Sequence, residues 1–411
     1  MRVSRALFMI SFIFGAVFFL AGCAGKEEKE LPQVSLSLWG SEQSVPLLEE
    51  AMRQFASEHE KEAVITYTIS IEGENSCKAT VLSDIDGAAD IFCFADDQLD
   101  DLWKAGALLP VGGDADALLE SVGGADSAAA RAVVRDGKVY AIPLSAGNGY
   151  FLYYNKAFLS EEDIRTMDGL LAEAGRAGKQ VTMDFGSGWY LYSFFRGAGL
   201  TLEQNEQGTA NICNWNAVDT KYKGTDVCEA MLDIAENPAF VNLGDEGFVA
   251  EVEDGSVIAG VNGAWNAEKV AAAWGEDYAA AKLPTYTLAG DQVQMCSFIG
   301  YKLMGVNSRT KEPEWSMKAA EFLCSRDQQL KRFRQIGDFP ADLEAAESEL
   351  VQSAPAVAAL AEQSEFGYAQ KVSDHFWNAS QMLGVVIAGG NPDGRDLQEL
   401  LDETVEAITA E

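Results

Sequence analysis

Residues 136–154, DGKVYAIPLSAGNGYFLYY, carry two short β-rich runs, Val139–Leu144 and Tyr150–Tyr154, parted by a turn-forming Ser-Ala-Gly-Asn-Gly. They close a rhythm that begins upstream. Val34–Leu38 (VSLSL) alternates polar and apolar side chains, the period of a half-buried strand. From Pro46 to His59, Leu47, Leu48, Ala51, Met52 and Phe55 fall on one helical face. Val64–Ile71 (VITYTISI) and Asp90–Ala95 (DIFCFA) return as strands, and Asp97–Ala105 reads as a helix that starts on acids and stops at Gly106. Strands alternating with amphipathic helices predict an α/β lobe with helices on both sheet faces. The second half is helix-rich, with a Gly186-Ser187-Gly188 turn and a long helical C-terminal segment. About 390 residues beyond the leader exceed one comfortable core, so two α/β lobes are expected.

The start of the chain has its own logic. Arg2 and Arg5 precede an apolar run, Ala6–Leu20, interrupted only by Ser11. The run is shorter than the roughly 18 apolar residues of a spanning helix and ends in small residues, which predicts a secretory signal over 1–22. Leu20-Ala21-Gly22-Cys23 resembles a bacterial lipobox, which implies that Cys23 is acylated and becomes the new N-terminus. Residues 23–32, rich in Glu and Lys without apolar periodicity, then read as a flexible tether to the cell membrane. Losing residues 1–22 removes two Arg and no acid, taking the formal charge from −34 to −36. Such a surface argues against nucleic acid and against anionic lipid headgroups as partners.

Apart from Cys23, six cysteines remain, with no CxxC pair and only His59 and His375 beside them, so no zinc site and no cofactor are expected. Cys93 and Cys324 sit in apolar segments and read as buried thiols. Cys213 and Cys228 flank a polar excursion and are the best candidates for a disulfide. Asp374-His375 lacks a nucleophile in register, and no phosphate-binding glycine pattern follows a strand.

Several segments, in order, resemble extracellular solute-binding proteins of the maltose/maltodextrin-binding type, the capture components of ABC sugar importers. They are LSLWGSEQ (36–43), ADIFCFADDQLDDLWKAGALLPV (89–111), VRDGKVYAIPL (134–144) with YFLYYNKAFL (150–159), and SVIAGVNGAWNAEKV (256–270). AAKLPTY (280–286), KAAEFLCS (318–325) and AQKVSDHFWNASQM (369–382) complete the series. The resemblance implies a periplasmic-binding-protein-like fold, two lobes joined by hinge crossovers around a ligand cleft. It sets the first lobe at 33–147 and 284–325, and the second at 148–283 and 326–411.

A pyranose offers flat C–H faces to aromatic planes and a rim of hydroxyls to carboxylates and amides. Trp39, Trp265 and Trp377 stand in polar contexts, LWGSE, NGAWN and DHFWN, that suit a stacking platform. By resemblance, Glu42 is an acidic sugar contact, Phe94 a stacking residue and Asp97 a carboxylate contact. Asn148 falls near a family glutamate, and Trp189 or Tyr190 takes the place of a stacking tyrosine. Trp265 and Trp377 match second-lobe stacking tryptophans, while Gln43, Gln98 and Gln381 replace charged family residues. The resemblance thus implies a monomeric, non-enzymatic receptor that closes on an oligosaccharide such as an α-glucan and delivers it to a permease. A glycoside hydrolase, a sensor partner and an importer subunit for a non-sugar solute are the alternatives.

Overall fold

The computed structural model describes residues 31–205 and 210–410. The signal, Cys23 and all but the last two tether residues lie outside the described residues. Ten strands build two sheets: β1 (Gln33–Gly40), β2 (Val64–Ile71), β3 (Ile91–Ala95), β4 (Ile142–Ser145), β5 (Tyr150–Asn155), β6 (Gln180–Thr182), β7 (Phe240–Val241), β8 (Val257–Gly263), β9 (Tyr278–Ala281) and β10 (Lys302–Val306). One sheet has the order β2-β1-β3-β10-β4 and the other β7-β6-β8-β5-β9. In the first, β1 runs parallel to β2 and β3, while the late strand β10 enters antiparallel between β3 and β4. In the second, β8 is parallel to β6 and antiparallel to β5.

The patterning explains the layers. Along β1, Val34, Leu36 and Leu38 are buried and meet Leu48, Met52 and Phe55 of helix Val45–Glu58, whose Pro46 sits in the first turn. Inner strands are buried along their whole length: IFCFA in β3, YFLYYN in β5 and VIAGVNG in β8. That is the signature of a sheet covered on both faces.

The chain passes from the first sheet to the second at residues 146–149 and returns after β9. The return lies later than the expected border at 284. Tyr286, Leu288, Val293, Met295 and Phe298 bury in the second lobe's cluster, so the segment through Phe298 belongs there by packing. Helix Arg326–Ile336, at the expected border at 326, touches both lobes: Gln328 and Arg332 bond Gln54 and Ser44 of the first, while Phe333 packs with Phe339 in a cluster of the second, which helices Pro355–Ser364, His375–Ala388 and Leu397–Ile408 complete. The expected Cys213–Cys228 disulfide is not formed. Cys213 ends a short strand, Cys228 is buried in helix Gly224–Ala235, and all six described thiols are free.

Candidate functional site

Between the lobes lies a cavity of about 700 Å³, within the range of ligand pockets. From the first lobe it is lined by Ser41, Gln43, Glu74, Asn75, Ala95, Asp97, Gln98 and Lys302, and from the second by Ser187, Trp189, Asp245, Trp265, Gln370 and Trp377. Asn148, on the first crossover, stands at the junction.

Three indoles make the second-lobe wall, and close backbone approach sets them. Helix Gly188–Gly197 touches helix His375–Ala388 where Gly188 meets Ser380. A Cβ on Gly188 would lie 2.0 Å from the Ser380 Oγ, so only glycine allows this spacing. The contact brings Trp189 and Trp377 together, with ring centroids 6.5 Å apart and planes 27° from parallel. Trp265 follows β8 and lies against Gly263, where an added Cβ would come within 2.2 Å of the ring. Its indole Nε1 donates to Asp245 Oδ2 at 2.9 Å, which fixes the ring's rotation.

The opposite wall is polar. Gln98 organises it: its side-chain nitrogen donates to Glu74 O at 2.7 Å and Asn75 O at 3.2 Å, and its oxygen accepts from Lys78 N at 3.0 Å. Burial pushes the Asp97 carboxyl up to about 6, against the opposing hydrogen bond from Gln370 and the Lys78 charge. Asp97 Oδ1 and Glu74 Oε1 are shielded from solvent and accept no hydrogen bond. Lys302 donates to Asp338 at 2.8 Å, and Arg332 binds the other Asp338 oxygen. Burial opposes the Asp338 charge, yet the two cations hold its carboxyl down to about 2.

Contacts also cross between the lobes. Gln43 Nε2 donates to Trp265 O at 3.2 Å, Gln370 lies close enough to Asp97 to act on its carboxyl, and Lys78 Nζ reaches Asp374 at 2.6 Å while holding Asp101 at 3.1 Å. A second cavity of about 470 Å³ shares Asp97, Asn148 and Gln370 with the first and continues past them between Tyr301, Phe339 and Leu360. Its wall holds Asp96, whose carboxyl is pushed up to about 7 by burial and then by the Asp97 charge.

Of the residues expected at the site, Asp97, Asn148, Trp189, Trp265 and Trp377 line the cavity. The others do not. Phe94 is 0 % exposed and packs with Phe92, Leu99 and Leu303, because alternation along β3 turns it into the core and leaves Ala95 at the rim. Tyr190 points into the second core, its ring 5.0 Å from that of Tyr150. Trp39 is half-buried against Phe92, 6.4 Å between centroids. Glu42 is exposed while its neighbours Ser41 and Gln43 line the cavity, and Gln381 is exposed one helical turn past Trp377. Sequence reasoning missed Glu74, Asn75 and Ser187. Asp245, at the first turn of helix Asp245–Asp254, was also missed, although an acid behind Gly244 at a helix start was a signal to hand.

Known proteins share this fold. Residues 50–359 match the family described as bacterial extracellular solute-binding protein. The galactooligosaccharide-binding protein of Bacillus subtilis (strain 168) is 24% identical over 416 residues, covering 94% of this chain and 93% of the relative. A solved structure described as a complex with acarbose is 30% identical with a TM-score of 0.80, covering 91% of this chain and 98% of its own. The maltodextrin-binding protein of L. casei BL23, solved without ligand, is 26% identical with a TM-score of 0.73 and covers the same shares.

Proposed function

Because the chain belongs to the bacterial extracellular solute-binding proteins, we propose that it is the lipid-anchored capture subunit of an ABC importer for an oligosaccharide. The observation that carries this reading is the pairing of three indoles on one cavity wall with amides and carboxylates on the other. Indole planes stack on the apolar faces of sugar rings, and the polar wall accepts and donates at the hydroxyl rim. Capture needs grip without a bond-breaking step, and this wall chemistry supplies it. Galactooligosaccharide, acarbose and maltodextrin are the ligand names attached to its relatives, which supports an oligosaccharide over a non-sugar solute.

Binding works by closure. Each lobe supplies one wall, so a sugar touching both is bound more tightly when the lobes are together. Moving a population from 1:99 to 99:1 needs a preference of about 5.5 kcal/mol, within reach of a few stacked rings and charge-assisted hydrogen bonds. The links Gln43–Trp265 and Lys78–Asp374 are contacts that closure would make. The closed shape then reports occupancy to the permease, outside the membrane to which Cys23 tethers the protein. Acylation is read by intact mass of the membrane-extracted protein: a diacylglyceryl adduct on a chain beginning at Cys23 supports it, and an unmodified chain overturns it.

Calorimetric titration with maltotriose, a β-linked galactotriose and a non-sugar set containing spermidine tests the ligand class. Micromolar or tighter binding of a trisaccharide alone supports the reading. Binding of the non-sugar set alone contradicts it.

A further inference from the structure

The charges around the cavity do not balance. Glu74, Asp97 and Asp245 line it, and among the described residues Lys302 is the one lining cation. Lys302 is already bound by Asp338, which also takes Arg332. Glu74 lies close enough to Lys302 and Arg332 to act on both, so these two cations are matched by Asp338 and Glu74. Of the remaining acids, Asp245 accepts from the neutral Trp265 indole, and Asp97 has the neutral Gln370 amide beside it. Lys78, the cation that acts on Asp97, is itself shared by Asp101 and Asp374. Asp97 Oδ1 therefore sits shielded from solvent, at the meeting of the two cavities, with no donor.

Resting on the oligosaccharide reading above, we infer that the cleft sorts sugars by charge. It rejects carboxylated sugars and gains affinity from an amino group on the ring that lies against Asp97. A neutral hydroxyl can donate to Asp97 Oδ1. An ammonium group does the same and also offsets the unmatched charge in a poorly solvated setting, where such interactions are strong. A carboxylate in the first cavity would have to desolvate beside Asp97 and Asp245, where the lining cation, Lys302, is already held by Asp338, a repulsive element of the kind that gives specificity.

The groups nearest Asp97 are Asp96 next to it, Lys78 with its partner Asp374, and Gln370; Glu74 shares the first cavity with it, and Arg131, Lys371 and the Arg135–Asp100 pair line the second. Burial pushes Asp97 up to about 6. An ammonium sugar favours the ionised carboxyl, so its advantage over a neutral sugar is full above pH 7 and shrinks as pH falls through about 6.

Three versions of maltotriose test this by calorimetry: the parent, and the same sugar with a terminal 6-hydroxymethyl replaced by aminomethyl or by carboxylate, at either end ring. The galactotriose set is used if that parent is the one that binds. At pH 7.5 the best amino form should bind at least about tenfold tighter than its carboxylate counterpart, a difference of about 1.4 kcal/mol. Asp97→Asn should shrink that ratio to about threefold or less, as should lowering the pH to 5. Asp245→Asn, which keeps a partner for the Trp265 indole, provides the second variant and should shrink it in part. Equal affinity of the three forms, with the parent bound, overturns the charge sorting and leaves the oligosaccharide reading standing. Failure of both parents to bind overturns the oligosaccharide reading, and the inference with it.

Discussion

The two walls of the cleft are built by different means. The second-lobe wall is set by packing: glycines at 188 and 263 let helices and rings approach to distances that any side chain would forbid. Its three indoles are positioned by the protein's own packing and by the Trp265–Asp245 hydrogen bond. The first-lobe wall carries no aromatic ring among its described lining residues, and hydrogen bonds from a single amide, Gln98, hold its Glu74–Asn75 loop. A stacking wall grips any sugar face of the right width, whereas a polar wall must match hydroxyl positions. Under the proposed function, this division would give most of the grip to the second lobe and most of the selectivity to the first.

The largest effect separates core from cleft. Phe94→Ala should cost about 3–5 kcal/mol of stability, as for other buried aromatics, with unchanged Kd in the folded fraction; denaturant melts and titration read both. Loss of binding with normal stability would return Phe94 to the site. Next come the indoles. Trp265→Ala and Trp377→Ala should each weaken sugar binding by about 1–3 kcal/mol, by analogy with bases stacked on aromatic side chains, and should do so for every sugar that binds. Changes confined to one sugar would break the division of labour. Gln98→Ala should weaken binding by about 1 kcal/mol, unevenly across sugars of different hydroxyl pattern. Glu42→Gln, at an exposed position, should shift neither Kd nor stability by more than about 0.5 kcal/mol.

The polar wall also has a pH signature. Folding raises the Asp96 and Asp97 pKa values to about 7 and about 6 through burial, so the native state holds protons that the unfolded chain releases. Their effect is to lower the stability of the unliganded protein as pH rises from about 4 to about 7. Asp96→Asn should flatten that slope in thermal melts across the window. A slope unaltered by the substitution would remove Asp96 from this role.

Most of the fold was legible because its strands are either strictly alternating, like VSLSL, or continuously apolar, like IFCFA, and both patterns have one physical reading. The border at 284 was misplaced because a strand pair at 285–294 carries no mark of which lobe it joins; packing decides it, as where Tyr286 meets Phe194 and Leu288, Val293 and Met295 bury in the same cluster. The indole wall could be read because tryptophan among polar residues is rare and costly. The polar wall was largely hidden. Neighbouring positions such as Glu42 and Gln43, or Phe94 and Ala95, differ by one step of backbone direction, and that step decides cleft against solvent or core. Choosing between Trp189 and Tyr190 turned on the same step, taken at a helix start.

The proposed capture holds a single sugar between both walls at once. Spin labels at exposed Ile71 in the first lobe and Val385 in the second report the distance between the walls. Measured by pulsed dipolar spectroscopy with and without the trisaccharide that binds, the distribution should shorten and narrow on saturation, and Asp97→Asn should weaken the response at limiting sugar. An unchanged distribution at saturating sugar would mean that one wall binds alone, and would contradict the account.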